Sequence, residues 1–166
     1  MSKRELTKYI KSLSKKQLEE QIFDLYIKFK PVKEYYNFVF NPNEEKLILE
    51  CKFKINKEYF PTSNRKPKKR RSIAQKYIKK FITLGVDPIL IADVMLFNIE
   101  TAQKFEENNN VQESFYKSIY KSFDDANTFI NENSLKITFY DRIINIIDHT
   151  ENYNWINNFA FQKHAI

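Results

Sequence analysis

At 166 residues the chain is long enough to close a hydrophobic core as one domain. Its 42% apolar content, with 15 Phe and 10 Tyr, excludes wholesale disorder. The net charge of +7 is uneven: residues 61–86 hold nine bases and no acid, whereas residues 87–166 hold six bases against twelve acids. A single glycine, Gly85, excludes glycine-rich phosphate loops and dinucleotide fingerprints, and no Asn-Gly or Asp-Gly is present for tight hairpins. The expected class is therefore all-α: a single compact domain over residues 1–166, with about seven or eight helices around an apolar central one.

Helix signals recur along the chain. Ser2 with Glu5, and Ser14 with Gln17, have capping-box spacing. Leu6, Tyr9, Ile10 and Leu13 follow the first at helical intervals, and Leu18, Ile22, Leu25, Tyr26 and Phe29 follow the second. Pro31 ends or kinks this second helix, and a short third helix carries Val32, Tyr35, Tyr36 and Val39. Asn41-Pro42 reads as the start of a fourth helix, with Glu44 and Glu45 favourably placed in its first turn. Leu47, Ile48, Cys51 and Ile55 form its stripe, which fades near Phe60-Pro61.

Residues 61–71 read as a basic linker containing Pro61, Ser63, Asn64 and Pro67. Ser72 is placed to cap a fifth helix. On it Ile73, Ala74, Tyr77, Ile78, Phe81 and Leu84 share one arc, and Lys76, Lys79 and Lys80 lie opposite. Gly85 supplies a left-handed C-terminal position, and Asp87-Pro88 opens the next helix. That helix, 88–106, is apolar almost all round. It should be the most buried element, with Asp93, Glu100 and Lys104 as a solvent strip and Glu100–Lys104 as an i,i+4 pair. Asn110 with Glu113 caps a seventh helix, whose stripe is Phe115, Ile119, Phe123, Ala126 and Ile130. Asn133-Ser134 leads to an eighth with Leu135, Phe139, Ile143, Ile146 and Ile147. The tail from Asn152 is mixed, and Trp155, Phe159 and Phe161 lead to the expectation that part of it docks.

The strongest functional signal is the basic stretch. Arg65, Lys66, Lys68, Lys69, Arg70, Arg71, Lys76, Lys79 and Lys80 offer nine positive charges for phosphate, and arginine adds bidentate contacts. A/T-rich codon usage inflates lysine without function. Arginine escapes that bias, and three of the five arginines fall in this segment. The plainer reading is a solvated linker followed by an ordinary polar helix face. No base-reading motif accompanies the charges, so the expectation is backbone binding without sequence preference. The competing class is a protein-interaction adaptor or self-associating helical domain, in which the basic segment of one copy meets the acidic C-terminal half of another.

Chemistry-bearing constellations are scarce, and the sequence points away from an enzyme, a cofactor or a metal. His149 and His164 are the only histidines, and neither has metal-ligand spacing with acids or Cys51. Cys51 lies on an apolar stripe, which favours a buried structural thiol over a nucleophile. As a lone cysteine it forms no internal disulfide, which suits a reducing compartment. With no secretory apolar segment after Met1 and no run of membrane-spanning length, a soluble intracellular protein is expected, without a membrane partner. Tyr35, Tyr36, Tyr116 and Tyr120 are candidate stacking surfaces for bases, although core packing with the hydroxyl at the rim is the commoner use.

Four stretches carry a resemblance to a known family: Leu13 to Tyr36; Tyr59-Phe60-Pro61-Thr62; the basic Arg65–Arg71 run; and Ser72 to Phe105, with its Leu-Gly-Val-Asp-Pro turn. In this order they resemble an uncharacterised family of small bacterial all-helical proteins, a domain of unknown function. The likeness covers nearly the whole chain. It implies a helical domain in a bacterial cytoplasm and brings no catalytic motif with it.

Overall fold

Helical periodicity dominates the sequence, and helices are what form. A computed structural model describes residues 1–62 and 65–165. Among these every regular element is an α-helix, nine in all. Ser63 and Asn64, which the sequence places in the linker, lie outside the described residues. The chain divides into two compact units, Met1–Asn43 and Glu44–Ile166.

The first unit holds α1 (Lys3–Ser12), α2 (Lys15–Lys28) and α3 (Lys30–Phe40). Both capping boxes form, so Ser2 and Ser14 each satisfy an orphan N–H while Glu5 and Gln17 reach back. The chain breaks at Phe29, and Pro31 falls in the first turn of α3, where a missing N–H costs nothing. Tyr26 Oη donates to Asn37 Oδ1 at 3.2 Å, joining α2 to α3. None of the three helices buries a residue.

The second unit holds α4 (Glu44–Tyr59), α5 (Arg71–Leu84), α6 (Pro88–Glu106), α7 (Glu113–Glu132), α8 (Lys136–Asn152) and the short α9 (Asn158–Gln162). Helix α6 packs against α4, α5, α7 and α8, and eleven of its nineteen residues are buried. An all-round apolar helix needs partners on every side, and α6 has them. Gly85 takes the left-handed conformation, with φ of 77°, at the end of α5. Two residues on, Asp87 accepts from the N–H of Ile89 to start α6. The tail docks through Trp155 and Phe161 but not through Phe159, which is 61% exposed. Trp155 donates its indole N–H to Glu106 Oε2 at 3.0 Å, so this tail anchor needs a specific polar partner as well as apolar cover.

Three expected caps differ. Helix α4 begins at Glu44 rather than at Asn41-Pro42. Helix α7 begins at Glu113 after Gln112, with no side-chain cap from Asn110. Helix α5 begins at Arg71, one residue before its expected cap Ser72.

Candidate nucleic-acid interface

The last backbone carbonyls of a helix have no intrahelical partner, and the basic segment supplies one. The N–H groups of Lys68 and Lys69 both donate to the carbonyl of Glu58, at 2.9 and 3.0 Å. Lys69 adopts a positive φ of 53°, which curls the chain around that oxygen. The Glu58 carboxylate then takes Arg70 in a bidentate pair, with Nε at 2.9 Å and Nη2 at 2.7 Å. It also accepts the Arg70 backbone N–H at 3.3 Å. A carboxylate from the end of α4 thus sits at the positive end of the α5 dipole, and Ser72 falls inside the helix rather than at its cap. The Arg70 guanidinium holds the Glu58 carboxyl below the ordinary carboxylate range. Residues 68–70 are thus fastened to α4 rather than strung as a free linker.

Arg71 is also engaged within the chain. It donates through Nε to Ser122 Oγ at 2.8 Å and through Nη2 to Asp125, both on α7. Once its amide is oriented to accept, Gln75 takes both terminal nitrogens of Arg71. Two of the three arginines that favoured a phosphate surface are therefore already ion-paired, with Glu58 and Asp125.

The remaining bases face solvent. Arg65, Lys66, Lys68, Lys69, Lys76, Lys79 and Lys80 are all exposed. Arg65, Lys66, Lys76 and Lys79 make no ion pair with any described residue. The Lys69 ammonium sits 5.4 Å from the centre of the Phe105 ring, and Lys80 interacts within the chain. The structure thus separates the nine candidates into two arginines anchored by acids, of which Arg70 is still half exposed, and seven other exposed bases.

A charge cluster elsewhere escaped the sequence reading. Arg142 on α8 reaches Glu100 with Nε and Nη2, at 2.8 and 2.9 Å, and Asp93 Oδ1 with Nη1 at 2.8 Å. Lys52 of α4 holds the other Asp93 oxygen at 2.6 Å. Glu100 thus pairs with Arg142 rather than with Lys104, and the expected solvent strip joins α4, α6 and α8. One available signal was Arg142 itself, the single arginine in the acidic stretch 87–166 of a lysine-rich chain.

The other candidates resolve into packing. Cys51 is fully buried, and burial, reinforced by Glu50, pushes its thiol up to about 12. His149 stacks on Tyr153 at 4.3 Å, and burial pulls its pKa below the ordinary histidine value. Its Nδ1 is 3.8 Å from Glu107. Tyr116 donates to Glu106 at 3.0 Å, and Tyr120 lies edge-on to Phe161 at 5.3 Å. Tyr35 and Tyr36, in the first unit, pack against each other edge-to-face.

Together these features define an all-helical protein whose basic segment is partly tied into its own scaffold. Among the described residues no helix is long and apolar enough to cross a membrane. The chain belongs to a family of unknown function, DUF6155, whose model matches residues 1–165. No curated protein and no solved structure matches it.

Proposed function

We propose that the protein binds nucleic-acid backbone, without sequence preference, through the exposed bases of residues 65–80. The observation that carries this reading is the set Arg65, Lys66, Lys76 and Lys79, exposed and without ion pairs, in a stretch that contains no acid. Phosphate neutralisation releases condensed counterions, so affinity falls with salt in proportion to the contacts made. With about four contacts, the slope of log K against log salt is about −3 to −4. Fluorescence anisotropy with unrelated single- and double-stranded DNA and RNA, at low and physiological salt, measures it. Replacing Lys66, Lys68, Lys76 and Lys79 together by Gln is expected to weaken binding equally for all sequences and to flatten that slope. No binding by the wild type at low salt refutes the reading.

A second reading, protein interaction or self-association, is supported by the first unit. It buries no residue and leaves Phe23, Ile27 and Phe40 among its widely exposed apolar side chains. Light scattering across salt concentrations separates the cases. Salt-sensitive self-association without nucleic acid supports basic-to-acidic contact between copies, whereas salt-insensitive association supports the apolar helices.

A further inference from the structure

Seven polar or charged residues are buried in the described structure, and six of them have hydrogen-bond partners. Glu58 holds Arg70; Ser122 accepts from Arg71; Gln103 donates to the carbonyl of Ile146; and Thr101, Asn127 and Thr150 bond backbone within their own helices. The seventh, Asn98, is 4% exposed, and its amide has no hydrogen-bond partner among the described residues. Among the described residues the side-chain polar atoms closed off from water without a partner are His149 Nε2 and Asn157 Oδ1; the Asn98 amide instead keeps an opening to solvent, where a ligand can reach it.

Asn98 lines a cleft. Helices α5 and α7 form its walls and α6 its floor, enclosing about 400 Å³, which falls within the range of small-molecule sites. Ala74, Ile78, Ile82, Met95 and Phe129 give it an apolar, partly aromatic lining. The Arg71 guanidinium also lines the cleft, fixed in place by Ser122 and Asp125. Two further bases, Lys79 and Lys121, and two acids, Asp125 and Glu132, also line it, with Lys121 paired to Asp125 at 2.9 Å.

We propose that this cleft binds a nucleobase, with the Asn98 amide reading its hydrogen-bonding edge. An amide presents one acceptor and a donor side by side, the pattern that pairs bidentately with a base edge. Apolar walls with one aromatic ring, Phe129, and a fixed guanidinium suit the faces of a base, which stack on aromatic rings and on arginine. The charges limit what the base carries. Three cations against two carboxylates suit a nucleoside or monophosphate and disfavour a triphosphate. The same chemistry is offered by a free mononucleotide and by an unpaired nucleotide in a strand. The inference stands on the cleft, which shares only Lys79 with the exposed lysine set, and holds whether or not those lysines bind phosphate.

Isothermal titration and saturation-transfer NMR on the full chain test it, with adenosine, guanosine, cytidine, uridine and their 5′-monophosphates as probes. At least one nucleoside is expected to bind, and Asn98→Leu is expected to weaken it at least tenfold. Thr128→Trp fills the cleft from its exposed edge and is expected to abolish binding without touching Asn98. The melting temperature gives a readout that a merely structural asparagine would not share: Asn98→Leu is expected to match wild type, because the Asn98 side chain makes no hydrogen bond within the described fold. Lys66→Gln is expected to leave nucleoside binding unchanged, which keeps this site distinct from the lysine surface. Tighter binding of an unpaired oligonucleotide than of any monophosphate identifies a strand as the source; the reverse order identifies a free nucleotide. Absence of binding by all four nucleosides at millimolar concentration, or wild-type affinity in both cleft variants, overturns the proposal.

Discussion

Replacing Arg142 by Met removes the cation that holds Asp93 and Glu100 while keeping most of the side chain's apolar bulk over Phe139. Lys52 continues to hold Asp93, so Glu100 is the group left without a partner. Arg142 and its two acids are each about a quarter to a third exposed, 30% for Arg142 and Glu100 and 25% for Asp93. Water therefore recovers part of what is lost. Exposed ion pairs contribute about 0–1 kcal/mol, whereas breaking a fully buried pair costs about 3–5 kcal/mol. An intermediate site with bidentate geometry is expected to lose about 2 kcal/mol. For a chain of this size that lowers Tm by roughly 4–8 °C. Urea titration followed by fluorescence of the single tryptophan, Trp155, reads the effect in the unit that contains the cluster. Glu100→Gln added to Arg142→Met removes the unpaired carboxylate and is expected to restore about 1 kcal/mol. A single mutant within about 0.5 kcal/mol of wild type, the scatter of ordinary surface substitutions, would refute the reasoning. So would a double mutant less stable than the single.

Two pH dependences follow from groups already described. The Glu58 carboxyl is held below its unfolded value of 4.5, so its contribution is complete above that pH and is lost as pH falls through the folded value. The Tm difference between wild type and Glu58→Gln is therefore expected to be widest at neutral pH and to close on acidification; a gap independent of pH contradicts the pairing. His149 has the same sign for a different reason. Burial keeps it neutral in the fold despite Glu106 and Glu107 nearby, so the unfolded chain takes up its proton first. Stability is expected to decline as pH falls below about 6.5, and thermal melts at pH 7.5 and 5.5 are expected to show a smaller decline in His149→Phe.

What the sequence made legible was local. Both N-terminal capping boxes, the left-handed Gly85 and the bounds of the 88–106 helix are set by residues within a few positions of one another, and these readings hold. Contacts between distant helices were not legible. Ser72 looked like a cap because nothing local indicated that Glu58, twelve residues before Arg70, would supply the carboxylate. Asp93 and Glu100 looked like a solvent strip because their partner lies 42 to 49 residues away. The basic segment shows the limit most directly. Its composition was plain, but which charges are spent on the fold depends on acids in α4 and α7. Asn98 had no signal at all, since an asparagine in an apolar helix becomes conspicuous only when its neighbours are known.

The burial pattern also decides what a stability experiment on this protein observes. Among the described residues every buried hydrophobic side chain lies at or after Ile48. Amide exchange slows where opening a hydrogen bond requires unpacking a core, so the slowest-exchanging amides belong to Glu44–Ile166. The amides of α1 to α3, helices that bury no residue, are expected to exchange faster. Trp155 sits in the second unit, so a melting curve followed through its fluorescence belongs to that unit, and changes in the first forty-three residues are best followed at their own amides.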